Sequence, residues 1–110
     1  QLMVSLKGNR PELADGINRA YVFGFRVQPA YRNLGIGTLM MRAVENDLWE
    51  NGFRYVTLNV ARTNSAARRF YERLGYSVVG DEPGHWSYLD QYGMRHDVHE
   101  PAWRMEKQLP

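Results

Sequence analysis

A chain of 110 residues that is 44% apolar and 24% charged has the size and composition of one globular domain, which excludes a disordered tail and a fibrous repeat. It has no cysteine, so a disulfide framework, a thiolate zinc site and a cysteine nucleophile are excluded. With 14 basic and 12 acidic side chains the formal net charge is only +2, too small for a nucleic-acid-binding footprint but compatible with a local seat for an anion. No apolar run approaches the roughly 20 residues that a membrane span needs. No signal-peptide pattern is visible at the start, and the expectation is a cytoplasmic protein without membrane or nucleic-acid partners.

Leu2–Leu6 (LMVSL) reads as a short strand, and Lys7–Arg19, with its Gly, Pro, Asn and Asp, as a loop or wide hairpin. Ala20–Val27 (AYVFGFRV) is a strand with Tyr21, Phe23, Phe25 and Val27 on one face and Val22, Gly24 and Arg26 on the other. The aromatic stripe is expected to face the core. Tyr31–Gly37 is a glycine-bearing loop. Thr38–Asn51 is a helix whose apolar stripe is Ile36, Met40, Ala43, Val44 and Leu48, with Arg42, Glu45, Asn46 and Glu50 elsewhere and Gly52 as its stop. Tyr55–Ala61 (YVTLNVA) is a second strong strand. Strand, helix and strand make a βαβ unit, so the two strands are expected to run parallel with a right-handed crossover. Asn64–Leu74 is a second helix, capped by Asn64, striped by Ala67, Phe70, Tyr71 and Leu74, and ended by Gly75. Tyr76–Gly80 is a strand, Trp86–Leu89 and Met94–Val98 form a hairpin, and Ala102–Leu109 is a terminal strand with Trp103 and Met105 on one face. The fold class is α/β (α+β), a mixed sheet around a central parallel βαβ unit.

The most informative stretch is Gln28–Thr38, where a strand ends, a loop carries Arg32, Gly35 and Gly37, and a helix begins at once. A helix start offers free N–H donors and the positive end of its dipole, and glycines remove the Cβ atoms that would hold a phosphate away. A P-loop would need Lys and Ser or Thr after the last glycine, but Gly37 is followed by Thr38 and Leu39. A dinucleotide fingerprint would need a third glycine where Met40 stands and an acid near Asn59 and Val60. Arg32-Asn33-Leu34-Gly35-Ile36-Gly37, preceded by Val27-Gln28-Pro29, instead resembles the pyrophosphate loop of the GCN5-related N-acetyltransferase (GNAT) family. Asn64-Ser65-Ala66-Ala67-Arg68-Arg69-Phe70-Tyr71-Glu72-Arg73-Leu74-Gly75-Tyr76 is similar to that family's N-x-x-A-x-x-F-Y-x-x-x-G-F/Y segment. The resemblance is strong over about residues 20–80 and weaker through the hairpin and terminal strand.

The resemblance implies direct transfer of an acetyl group from acetyl-CoA to a primary amine, without an acyl-enzyme and without a metal. The backbone of Phe25 and Val27 would pair with the pantetheine arm as strand addition. Arg32, Asn33, Leu34, Gly35, Ile36, Gly37 and Thr38 would hold the pyrophosphate, and Asn64 would contact the CoA arm while capping its helix. Tyr71 would be the general acid that protonates the departing thiolate. Helical periodicity alone makes Tyr71 a core residue. Arg68 and Arg69 read as a solvated helix face, with the 3′-phosphate of CoA as their alternative partner. A side-chain base is not evident: the strand before the loop has no acid, and Asn59 stands where relatives often carry one. Water relayed by backbone carbonyls is the first choice for the base and His85 the second; His96 and His99 are expected at the surface.

The family's opening strand and helix pair has no counterpart in the stretch before Ala20. Gln1 is not a natural start, so the chain is expected to be an N-terminally truncated piece, 1–110, of one such domain, lacking one wall of the acceptor pocket. A sheet edge and an apolar face left uncovered would favour a homodimer. The function expected is an N-acetyltransferase acting on a small-molecule or protein amine. A non-catalytic acyl-CoA-binding or regulatory domain and a nucleotide-binding module are its alternatives.

Overall fold

The computed structural model describes residues 3–5, 12–23 and 35–110. In chain order they form β1 (Met3–Ser5), β2 (Arg19–Phe23), α1 (Ile36–Glu50), β3 (Tyr55–Ala61), α2 (Ser65–Arg73), β4 (Ser77–Glu82), β5 (His85–Leu89), β6 (Arg95–His99) and β7 (Ala102–Gln108). Five strands make one mixed sheet in the order β1-β2-β3-β7-β4, and β5 and β6 form a separate two-stranded sheet. β2 and β3 are parallel, with Arg19 opposite Tyr55, Ala20 opposite Val56 and Tyr21 opposite Thr57. The expected βαβ unit is therefore present. β7 slots antiparallel between β3 and β4, so β3 and β4 run the same way on either side of it. Two right-handed crossovers stepping in the same direction along a sheet put both helices on one face.

Alternation along the strands shows which face that is. Ala20, Val22, Val56, Leu58, Val60 and Met105 join Met41 and Leu48 of α1 and Tyr71 and Leu74 of α2 in one buried cluster. The aromatic stripe expected to be core therefore points the other way: Ala20 and Val22 are buried, Tyr21 is half-buried and Phe23 is exposed. Tyr21 and Phe23 stack on each other at 5.5 Å instead. The helix side of β2 thus takes its smaller side chains, Ala20 and Val22, and the larger rings are left to the opposite face.

Beyond these two rings that opposite face is polar in part. Among the described residues it carries the Arg19–Glu106 and Arg104–Glu82 ion pairs, with Asn59 between them. The turn at 12–18 lies over part of it. The Oγ1 of Thr57, fully buried, donates to the Leu13 carbonyl at 2.6 Å, and Asp15 Oδ1 accepts from the N–H groups of Ile17, Asn18 and Arg19. Those backbone bonds, that from Ile17 first, hold the Asp15 carboxyl below its ordinary range.

α1 departs from its expected stripe. Its buried residues are Met41, Glu45 and Leu48, while Ala43 is exposed. Glu45, at 7% exposure, accepts from Tyr76 Oη at 2.8 Å and pairs with Lys107 Nζ at 2.9 Å. A carboxylate is tolerable in a core only when opposite charge and donors meet it there.

The hairpin starts at His85 rather than Trp86 and ends at His99. Its base closes through the Glu100 N–H donating to the Gly84 carbonyl at 3.0 Å. Gly84 has φ of +70°, and a Cβ there would overlap the Glu100 carbonyl oxygen. Gly84→Ala is thus expected to open the hairpin base at a local cost of roughly 2–3 kcal/mol. Amide exchange across residues 85–99 should accelerate at least tenfold while the exchange of β3 stays slow; unchanged hairpin protection would refute this.

Candidate functional site

The parallel register of β2 and β3 runs to Tyr21 and Thr57, yet β2 continues to Phe23 and β3 to Ala61. Both helices begin beyond this end of the pair. α1 follows the loop after β2, and α2 starts four residues past the end of β3. In open α/β sheets ligands bind in the crevice outside the carboxyl ends of such strands.

The start of α1 carries the features expected of an anion seat. Gly35 is the N-cap at φ of +77°, a left-handed conformation that disfavours any side chain, and it makes no side-chain capping bond. The first turn holds no acid. Ile36 and Gly37, expected at the end of the loop, join Thr38 in that first turn, where N–H groups have no intrahelical acceptor. The first intrahelical bond runs from the Leu39 N–H to the Gly35 carbonyl, at 3.1 Å. Phe25, Val27, Arg32, Asn33 and Leu34 lie outside the described residues.

Asn64 caps α2 as expected, its side chain accepting from the Ala67 N–H at 3.1 Å. Its Oδ1 is thereby used within the helix. Tyr71 is 8% exposed and belongs to the core cluster, edge-on to Phe70 at 5.2 Å and to Tyr76 at 5.8 Å. Burial pushes its phenol up to about 12, so the hydroxyl keeps its proton throughout the neutral range. Tyr76 is also raised, by burial first and by the Glu45 carboxylate second.

Arg68 pairs with Glu72 and lies over the Trp103 ring at 5.3 Å, with Arg62 over the same ring at 4.2 Å. The structure does not bring His85 to the parting of β2 and β3. It sits in the second sheet, its ring stacked on that of His99 at 4.0 Å. His96 is bound to Asp90 at 2.8 Å and is exposed, as is His99. That bond with His96 is the main reason the Asp90 carboxyl titrates low. A cavity of about 490 Å3 lies at the hairpin base, lined by Arg62, Asp81, Glu82, Pro83, His99 and Pro101. It includes none of the residues expected to bind acetyl-CoA or to act as the general acid, and Arg62 is already paired with Asp81 there at 2.8 Å. Among the described residues no group of three or more His, Asp or Glu is placed to hold a metal, and no helix is long and apolar enough to cross a membrane.

The sequence offers Asn59 only as the place of a missing acid and Tyr21 only as part of an aromatic stripe; the structure brings the two side chains together. Asn59 Nδ2 donates to Tyr21 Oη at 3.4 Å. The alternation of YVTLNVA carries a trace of this, because Thr57 and Asn59 are its polar positions and fall on the same face.

A sequence model of the Acetyltransferase (GNAT) family matches residues 3–76. The chain belongs to this family. Its relatives include N-alpha-acetyltransferase 50 of Danio rerio, 27% identical over 97 residues, which are 81% of this chain and 58% of that protein. Among solved structures, the ribosomal-protein-S18-alanine N-acetyltransferase of Escherichia coli is similar at a TM-score of 0.64 and 26% identity, covering 82% of this chain and 54% of that one. The NatB acetyltransferase complex bound to CoA and MES shares the fold at a TM-score of 0.73 and 24% identity, covering 99% of this chain and 63% of that one. This GNAT chain thus spans less than two thirds of each of these relatives. The matched stretch contains the glycine loop, α1, β3 and α2.

Proposed function

We propose that this chain is the cofactor-binding part of an acetyl-CoA-dependent N-acetyltransferase that passes the acetyl group directly to a primary amine. The observation that carries the reading is the parallel pairing of β2 and β3, in register through Tyr21 and Thr57, with α1 and α2 each starting beyond the same end of its strand. The first-turn N–H groups of Ile36, Gly37 and Thr38, with Gly35 turning the chain, suit a diphosphate. Arg32, Asn33 and Leu34 complete that seat, and the backbone of Phe25 and Val27 takes the pantetheine arm. Asn64, its oxygen committed to the cap, offers its Nδ2 donors to the same arm.

In the reaction the amine nitrogen attacks the thioester carbonyl, the new N–C bond forms and the C–S bond breaks with its electron pair going to sulfur. Tyr71, held protonated by burial, supplies a proton or hydrogen bond to that sulfur. The proton that the attacking nitrogen sheds passes to water, and water returns one to the Tyr71 oxygen. Relatives named as an N-alpha-acetyltransferase and a ribosomal-protein-S18-alanine N-acetyltransferase support an amine acceptor.

A thermal-shift panel of acetyl-CoA, CoA, ATP and NAD tests the reading. A ligand at about 100 times its Kd stabilises by about 2.7 kcal/mol, so acetyl-CoA and CoA should raise Tm by several degrees. ATP and NAD should leave it unmoved. Equal shifts with ATP, or none with CoA, would overturn the assignment; CoA binding without amine-dependent thiol release would leave a binding domain and no transferase.

A further inference from the structure

β5 and β6 form a two-stranded sheet of their own, and among the described residues no further strand pairs with either of its edges. The register fixes which backbone groups face outward. The Glu100 N–H donates to the Gly84 carbonyl and the Asp90 N–H to the Met94 carbonyl, both at 3.0 Å. Bonded and non-bonded pairs alternate between these two points, so Trp86–Val98 and Tyr88–His96 are the bonded ones. On β6 the N–H and C=O groups of Arg95, Asp97 and His99 therefore point away from β5. Such an edge is a template for another strand.

Edges are usually blunted by charge, a bulge or proline. β6 keeps an unbroken register and holds no proline. Its charges are one of each sign, Arg95 and Asp97, both well exposed, with Nε 3.0 Å from Oδ1. Opposite signs two positions apart match their own reverse. A second copy of β6 turned antiparallel about His96 sets Arg95 against that copy's Asp97 and Asp97 against its Arg95, and covers the exposed Met94 with Val98. The neighbouring registers are worse. Turning about Arg95 or Asp97 sets like charges opposite each other, and turning about Val98 sets Arg95 against Pro101, which has no N–H. At the favoured axis the two His96 rings meet as a non-bonded pair. His85 and His99 already adopt that arrangement across this hairpin, stacked at 4.0 Å.

We propose that the outer edge of β6 joins two copies of this chain, paired antiparallel about His96 into one sheet of order β5-β6-β6-β5. Backbone bonds of Arg95 and Asp97 and the reciprocal Arg95–Asp97 pairs hold it. One short strand from each copy buries less than the roughly 800 Å2 per partner of a standard interface, so the dimer is a weak, concentration-dependent one. The proposal is independent of the ligand the chain binds.

Sedimentation velocity of the 110-residue chain, from about 1 to 500 µM at low salt, tests it. The unaltered chain should pass from monomer to dimer. Arg95→Asp and Asp97→Arg, each of which sets like charges opposite, should weaken association at least tenfold. An equimolar mixture of these two variants, and the double reversal Arg95→Asp/Asp97→Arg, should each restore it; slow amide exchange in β3 confirms that every variant is folded. Amide exchange in the unaltered chain should slow with concentration at Arg95 and Asp97 and stay constant at His96 and Val98, which are already bonded to β5. A monomer throughout, a dimer indifferent to either single reversal, no recovery in the mixture and the double reversal, or protection that grows at Ser87 and Leu89 instead would each overturn the proposal.

Discussion

Glu45→Ala is expected to destabilise the protein by about 3–5 kcal/mol, the usual cost of removing one partner from a buried ion pair. Glu45 ties three parts of the chain together: α1 through its backbone, the strand entry at Tyr76 through a 2.8 Å bond, and β7 through Lys107 at 2.9 Å. Its loss leaves the Lys107 ammonium, with a side chain only 17% exposed, facing a cavity and a buried phenol. For a domain whose total stability is of order 5–15 kcal/mol, that is a large fraction. Glu45→Gln keeps an acceptor for Tyr76 and should cost less. Replacing both Glu45 and Lys107 by methionine should also cost less than Glu45→Ala alone, because no charge is then stranded. Urea unfolding of the three variants measures this; a loss under about 1 kcal/mol for Glu45→Ala would show that Lys107 reaches water unaided.

Tyr71→Phe is expected to lower turnover about 100-fold, the lower end of what a positioned general acid contributes, with the acetyl-CoA KM changed less than twofold. The substitution removes one hydroxyl and keeps the ring that packs against Phe70 and Tyr76. Steady-state kinetics with any accepted amine decides it, and unchanged turnover would confine Tyr71 to the core. The same variant has a stability signature of separate origin. Below pH 10 the phenol is protonated in the folded and unfolded chain alike, and its contribution is complete. Between pH 10 and about 12 the unfolded chain ionises this tyrosine while the folded chain does not, so stability falls as pH rises. The fall amounts to roughly 3 kcal/mol for a shift of about two pKa units. Tyr71→Phe lacks this loss and should unfold at higher pH than the unaltered protein, whatever its effect on catalysis.

Much of the site and the fold was legible in local pattern. The glycine stops, the Asn64 cap and the periodicity of α2 place the helices to within a residue or two. The strand-helix-strand order makes β2 and β3 parallel, and chain connectivity then limits the crossover hand. These features depend on neighbours close in sequence, so a linear reading reaches them. The same is true of the loop and helix motifs on which the family resemblance rests.

Other features depend on residues that meet from far apart. Both faces of the Ala20–Phe23 stretch are apolar, so alternation could not say which one the helices cover; packing under α1 and α2 buries Ala20 and Val22 and turns Tyr21 and Phe23 outward. Glu45 counts as a surface residue until Lys107 and Tyr76 arrive beside it. Asn59 looks like a missing acid until β2 and β7 bring Tyr21, Arg104 and the arginine-held carboxylates around it. The chain's local grammar thus specifies its helices, its parallel unit and the glycine that turns the chain into α1. Which polar groups are buried emerges only when β7 enters the sheet between β3 and β4, because a buried charge or amide is defined by what stands opposite it in space.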